Sequence, residues 1–361
     1  RFFVGYGIAR YWCRPRGCTD GPGCPGDHPE PGLSIVEVVV TPETDLFEPF
    51  LAHHGRVLLD GGLATALEAR GHVLDQRLWS ALLLRDAPDA IVAVHRAYLD
   101  AGADVITSAS YQGSIPGFVE WGMSESEATM LLERSSALAL TARDRFVEQR
   151  APAVPPLVAA SVGPYGAYRA DGSEYDGRYP GVSRDDLAAF HAPRLTILAR
   201  SGVDLLACET VPSGLEADVL IELLGSLVPS TPAWISFSCA DGGHLHDGTP
   251  IEEMAALAKH SARVVAVGVN CTPPRYVPEL VRRIRGVYDG HVVVYPNSGE
   301  RYDAVTGTWS GASGDEPSSA APDPNWLNAL EEARTAGADV LGGCCRVGPD
   351  EIAELRRRLA G

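Results

Sequence analysis

The chain has 361 residues, 45% apolar side chains and a formal net charge of -17 at pH 7. A surface so acidic repels nucleic acid and anionic membranes, which argues against both as partners, and no apolar run approaches the length of a membrane span. The length admits one large α/β domain or two ordinary ones, and the apolar fraction is enough for a globular core.

From Arg10 to Gly32 the chain is dominated by Arg, Gly, Pro and Cys, without helical or strand period and without a signal-peptide pattern. Residues 1–35 therefore read as a disordered or non-native leader, with a single domain over 36–361 and a true start near Val36. A small metal knuckle of Cys13, Cys18, Cys24 and His28 is the competing reading.

From residue 56 onward, β-branched apolar runs alternate with amphipathic stretches. The predicted strands cover 57–60, 105–108, 157–162, 205–209, 234–239, 264–270, 292–296 and 340–343. Their near-continuous apolar character is that of parallel strands buried on both faces. Helices are predicted over 87–101, 124–148, 184–201, 215–227, 250–260 and 349–359. One signal repeats: Ala101-Gly102-Ala103-Asp104-Val105 returns as Ala336-Gly337-Ala338-Asp339-Val340, and Ser201-Gly202-Val203-Asp204-Leu205 is a close variant. In each, a left-handed Gly ends a helix and a strand begins shortly after. Eight strands alternating with helices over this length predict a (β/α)8 TIM barrel. A doubly wound open sheet would want a Gly-rich phosphate turn after the first strand, and Asp60-Gly61-Gly62-Leu63-Ala64-Thr65 is not G-x-G-x-x-G. Residues 300–324, rich in Gly, Ser, Ala, Asp and Pro, read as a long loop.

In a barrel, polar residues at strand C-terminal ends are the site candidates. The chain supplies Asp60, Thr107 with Ser108 and Ser110, Ser161, Glu209, Cys239, Asn270 with Cys271, Asn297, and Cys344 with Cys345. Of eight cysteines, Cys208, Cys239, Cys271, Cys344 and Cys345 lie at or near the ends of apolar runs. That is not a secreted disulfide framework, and a reduced cytoplasmic compartment is expected. Cys271, Cys344 and Cys345 come from strands six and eight, whose ends flank strand seven. Three thiolates leave one tetrahedral position of a Zn2+ ion open, as in catalytic rather than structural sites. An all-sulfur set suits a reaction whose fourth ligand is also sulfur, which points to thiol alkylation. Gly342 and Gly343 would bend the backbone so that both adjacent cysteines turn inward. A vicinal disulfide or inert buried thiols are the alternatives. Asp60 and Glu209 could each bind an α-ammonium group; alternatively Asp60 caps a helix and Glu209 pairs with an Arg. The aromatic, Gly-rich loop 163–175 reads as a lid or donor-binding loop, or as a rigid connection. His244 and His246 read as surface loop residues.

These residues resemble the homocysteine S-methyltransferases, in the branch that uses S-methylmethionine or S-adenosylmethionine. The matching motifs run through nearly all of residues 56–361: Leu59-Asp60-Gly61-Gly62, Ile106-Thr107-Ser108 with Ser110-Tyr111-Gln112, Ser161-Val162-Gly163-Pro164-Tyr165, Asp171-Gly172-Ser173-Glu174-Tyr175, Glu209-Thr210, Gly268-Val269-Asn270-Cys271-Thr272, Tyr295-Pro296-Asn297 and Gly342-Gly343-Cys344-Cys345. The last, with Asn270-Cys271, is the most specific. The resemblance implies a (β/α)8 barrel, zinc held by Cys271, Cys344 and Cys345, homocysteine as acceptor and methionine as product. It implies that Asp60, Thr107 and Glu209 hold the amino-acid end of homocysteine and that Asn270 positions the metal loop or substrate. The loop 163–175 and the short stretch after the last predicted helix favour the sulfonium-donor branch over the betaine branch, with Tyr165, Tyr168, Tyr175 and Trp234 as candidate aromatic contacts. Methylation of another thiol or selenol with a betaine-type donor, a zinc hydrolase, or a redox sensor built on Cys344-Cys345 are the alternatives. The oligomeric state is left open, a monomer included.

Overall fold

The structure, a computed structural model, describes residues 4–5, 8–12, 35–39, 45–72, 83–299, 301–303, 308–310 and 326–359. Two units divide the chain, Arg1–Glu48 and Pro49–Gly361. In the first, Val4–Gly5, Ile8–Trp12 and Ile35–Val39 pair antiparallel as a three-stranded sheet. The expected boundary after residue 35 falls within the last of these strands. The Cys13, Cys18, Cys24 and His28 group lies outside the described residues.

The second unit is a (β/α)8 barrel. Its strands are β1 (Val57–Leu58), β2 (Val105–Thr107), β3 (Leu157–Val162), β4 (Leu205–Val211), β5 (Ala233–Phe237), β6 (Val264–Asn270), β7 (His291–Tyr295) and β8 (Val340–Leu341). All neighbours are parallel, β8 pairs with β1, and a Leu59–Val105 bridge joins β1 to β2. The period of two sorts each strand. Leu206, Cys208, Ile235, Phe237, Val292 and Val294 face the helices and join the main apolar cluster. The alternate residues, among them Ala207, Glu209, Trp234, Ser236, Val293 and Tyr295, stand outside that cluster. Gly268 shows why one inner position must be Gly: a Cβ there would sit 1.6 Å from the Val293 carbonyl oxygen.

The repeated helix-to-strand turn takes its predicted form. Gly102, Gly202 and Gly337 have φ of 99°, 84° and 117°, a conformation only Gly adopts without strain. The Asp that follows does a second job. Asp104, Asp204 and Asp339 accept hydrogen bonds from the N–H groups of Leu58, Val158 and Val292, at 2.8, 2.7 and 2.8 Å. Each carboxylate thereby ties the foot of its strand to a neighbour.

The helices follow from caps and stripes. Ser124 and Ser183 each form a capping box, opening Glu125–Arg150 and Arg184–Ala199. Val277–Arg285, absent from the predicted set, buries Val277, Leu280, Val281 and Ile284, the spacing of one helical face. Arg301–Asp303 and Thr308–Ser310 pair antiparallel, so part of the segment read as loop is a short hairpin. No helix among the described residues is long and apolar enough to cross a membrane.

Candidate active site

The C-terminal strand ends enclose a cavity of about 350 Å3. Cys271, Cys344 and Cys345 form one wall; Asp60, Thr107, Ser161 and Glu209 line it from the first four strands.

The three sulfur atoms are 3.2 Å (Cys271–Cys344), 3.5 Å (Cys271–Cys345) and 4.0 Å (Cys344–Cys345) apart. Together they could hold a metal ion, and no other His, Cys, Asp or Glu among the described residues joins the group. Cys208 and Cys239 are buried elsewhere, Cys208 in the apolar cluster and Cys239 with its N–H on Thr272 Oγ1 at 3.0 Å. Hydrogen bonds from Cys271 and Cys344 hold the Cys345 thiol well below its usual range.

The local reason for the Cys344–Cys345 geometry differs from the expectation. β8 ends at Leu341, and both cysteines sit in a tight turn closed by Val347 N–H on the Cys344 carbonyl at 3.2 Å. Gly342 and Gly343 serve close approach: a Cβ would lie 2.5 Å from the Leu59 Cβ or 2.2 Å from Val347 Cγ1. Cys271 is turned toward the pair by a left-handed backbone, φ 48°. Thr210 (φ 60°) and Arg346 (φ 65°) share that conformation, and all three line the cavity. Left-handed non-glycine residues are held only where the surroundings over-determine them, which is common at functional sites.

Asp60 accepts from the Thr107 N–H at 2.7 Å and from Thr107 Oγ1 at 3.0 Å. Glu209 accepts from the Ser161 hydroxyl. A register shift between Cys208 and Val211 brings the consecutive Glu209 and Thr210 both to the cavity. No salt bridge to Asp60 or Glu209 occurs among the described residues. Burial pushes the Asp60 carboxyl well above the usual range and the Glu209 carboxyl up to about 7. Two buried carboxyls without a cation form a ready receptor for an ammonium group. Asn270 is buried behind the thiols: its Nδ2 donates to Thr210 Oγ1 at 2.7 Å and lies 3.9 Å from Cys344 Sγ, while its Oδ1 accepts from the Thr210 N–H at 2.7 Å.

The aromatic lining differs from the sequence expectation. Tyr175 lines the cavity, joined by Tyr111 and Tyr295, to which sequence reasoning assigned no role. Trp234 is fully buried, donating to the Tyr295 hydroxyl at 3.0 Å, and Tyr165 and Tyr168 line a separate depression with Glu120 and Trp121. The loop carrying them is pinned. Glu216 accepts from the Tyr165 N–H at 2.5 Å and the Tyr179 hydroxyl at 2.8 Å, with His191 Nε2 also at 2.8 Å, and Arg194 donates to the Gly163 carbonyl at 2.6 Å. His244 is exposed beside Asp241, and His246 meets the Tyr175 ring edge-on with centroids 6.3 Å apart.

The family profile for homocysteine S-methyltransferase matches residues 57–359. Homocysteine S-methyltransferase YbgG of Bacillus subtilis is 44% identical over 305 residues, 83% of this chain and 93% of that protein. Selenocysteine Se-methyltransferase of Brassica oleracea is 42% identical over 314 residues, covering 84% and 89%. Among solved structures, the metallated homocysteine methyltransferase MmuM of Escherichia coli superposes with a TM-score of 0.76 at 39% identity, covering 86% of this chain and 99% of that one. The thiol trio at the mouth of a (β/α)8 barrel and these likenesses agree: the chain belongs to the homocysteine S-methyltransferase family.

Proposed function

We propose that this enzyme transfers a methyl group from a sulfonium donor, S-methylmethionine in preference to S-adenosylmethionine, to homocysteine, giving methionine, with Zn2+ held by Cys271, Cys344 and Cys345. The observation that carries the reading is the pairing of three sulfurs 3.2–4.0 Å apart with two buried carboxyls that meet no cation among the described residues. The donor set fits zinc, since Zn–S bonds of about 2.3 Å in a tetrahedron separate sulfurs by roughly 3.8 Å. Bound there, zinc supplies the Lewis acidity that makes the acceptor sulfur available as a thiolate at neutral pH.

The chain's own residues bind and orient. Asp60, held by Thr107, and Glu209, held by Ser161, receive the ammonium of homocysteine and direct its sulfur toward the thiols. Asn270 fixes Thr210 and braces Cys344. Tyr111, Tyr175 and Tyr295 offer aromatic surface to the positive sulfonium and narrow the space left to water. In the transfer, a new C–S bond forms on homocysteine and the donor's S–CH3 bond breaks. The electron pair stays on the donor sulfur, which leaves as a neutral thioether, and the thiol proton goes to solvent. Holding both sulfurs in line is most of the catalysis, because the donor is already activated.

Methionine formation from homocysteine with S-methylmethionine, S-adenosylmethionine, betaine and methyltetrahydrofolate in parallel tests this. Turnover is expected with the first, less with the second, and little or none with the others. Betaine outcompeting the sulfonium donors would overturn the donor assignment. Selenocysteine belongs in the assay as a competing acceptor, given the Brassica relative.

A further inference from the structure

Tyr165 and Tyr168 line a depression of about 230 Å3 that shares no lining residue with the thiol cavity, and nothing in the methyl transfer uses it. Glu120 and Trp121 line it from one segment of the chain, Tyr165, Tyr168 and Arg169 from another.

The walls are set before any ligand arrives. Ser114 caps the helix Ile115–Glu120, its Oγ accepting from the Gly117 N–H at 3.1 Å, and Trp121 ends that helix with its N–H on the Phe118 carbonyl at 3.2 Å. The Tyr165 and Tyr168 rings have centroids 5.5 Å apart, and both pack on Phe190, at 5.1 and 5.2 Å. The Tyr168 hydroxyl donates to Glu120 and so joins the two segments.

Two features call for a ligand that is both apolar and cationic. Trp121 is 40% exposed, and its indole has no ring or guanidinium contact among the described residues. Glu120 accepts from the neutral Tyr168 hydroxyl and has no salt bridge among the described residues. Arg169 is paired with Asp171 at 2.8 Å, which leaves the Glu120 charge without a counter-ion. An anion would be repelled by that charge, and a neutral ligand would leave it unmet. A methylated onium ion has no N–H group to satisfy. It presents its charge through methyl groups, which lie on aromatic faces while a carboxylate sits beside them.

We propose that this depression binds a methylated onium group, sulfonium or quaternary ammonium, at a site separate from the methyl-transfer cavity, with Trp121, Tyr165 and Tyr168 supplying aromatic faces and Glu120 the counter-charge. The site needs no zinc, no homocysteine and no turnover, so it stands or falls apart from the reading of the cavity.

The test is fluorine NMR on the full chain labelled with 5-fluorotryptophan. The chain has six tryptophans, and the Trp121 signal is the one missing from Trp121→Phe. Choline or trimethylsulfonium should shift that signal saturably. 3,3-Dimethylbutan-1-ol, which has the shape of choline without its charge, should need at least about tenfold more for the same shift. Glu120→Gln should weaken the response to the cations roughly 3- to 30-fold, while Glu209→Gln, in the other cavity, should change it less than about twofold. A response to only one cation decides between sulfonium and quaternary ammonium. A Trp121 signal that neither cation moves, equal responses to choline and its neutral counterpart, or an unaltered response in Glu120→Gln would each overturn the proposal.

Discussion

Glu209→Gln separates a substrate-binding carboxylate from a structural one. The amide keeps the shape and still accepts a hydrogen bond from Ser161, but it cannot pair with an ammonium. Removing one partner of a desolvated charge pair costs about 2–4 kcal/mol, or roughly 30- to 700-fold in binding. Asp60 stays in the same cavity and carries part of the ammonium interaction, so the lower end applies: a rise of about 30- to 100-fold in homocysteine KM. The assay is initial-rate methionine formation at saturating S-methylmethionine, with zinc content measured on the same samples. 4-Mercaptobutanoate, which lacks the ammonium, should bind the variant and the unaltered protein alike. pH supplies a second readout. Burial raises the Glu209 carboxyl to about 7 in the free protein, and an ammonium partner favours its ionised form. Binding therefore expels a proton below about pH 7, and KM rises as pH falls through that value. The Gln variant should lose this component and keep only the parts due to Asp60, whose buried carboxyl is also raised, and to the substrate thiol. An unaltered KM, or an identical pH slope in both proteins, would refute the assignment.

Cys271→Ser, Cys344→Ser and Cys345→Ser should each lose zinc and activity, because no other ligand among the described residues joins the trio; full occupancy in any one, by metal analysis, would remove that residue from the site. Gly268→Ala places a Cβ 1.6 Å from a backbone oxygen of the next strand and should destabilise the barrel by at least about 3 kcal/mol, lowering Tm by roughly 5 °C or more; an unchanged melting curve would contradict the packing. Removing residues 1–35 should leave Tm and activity unaltered, since they belong to the unit Arg1–Glu48 and supply no barrel strand and no residue of the cavity lining, and loss of soluble protein would show that the barrel depends on them.

Much of the barrel was legible because its signals are local. The helix-ending turns at Gly102, Gly202 and Gly337 announce themselves by a residue that tolerates positive φ. The strands over 157–162 and 264–270 match the predicted bounds, since apolar runs buried on both faces leave little ambiguity. Strand ends were less well drawn. β1 and β8 are two residues each, because the chain leaves the ladder where Asp60 and the Cys344 turn begin. The helix Val277–Arg285 and the hairpin from Arg301 to Ser310 escaped notice; the hairpin sits in a stretch whose Gly, Ser and Pro content signals loop.

The site divides along the same line. Residue type and position along the strands marked Asp60, Thr107, Glu209, Cys271, Cys344 and Cys345, since period-two burial and a strand's end are one-dimensional properties. Tertiary structure alone decided what those groups face. The bulge at Glu209–Thr210 arises from the register between β4 and β5, and the left-handed turns at Thr210, Cys271 and Arg346 use residues that give no signal for positive φ. Tyr175, Tyr111 and Tyr295 converge while Tyr165, Tyr168 and Trp234 turn elsewhere, because side-chain direction depends on packing across elements distant in the chain. The sequence by itself determined which chemical groups reach the barrel mouth; closure of the barrel decided their distances, their burial and which charges meet, because those depend on contacts between residues as distant in the chain as Thr65 and Arg346, 281 positions apart.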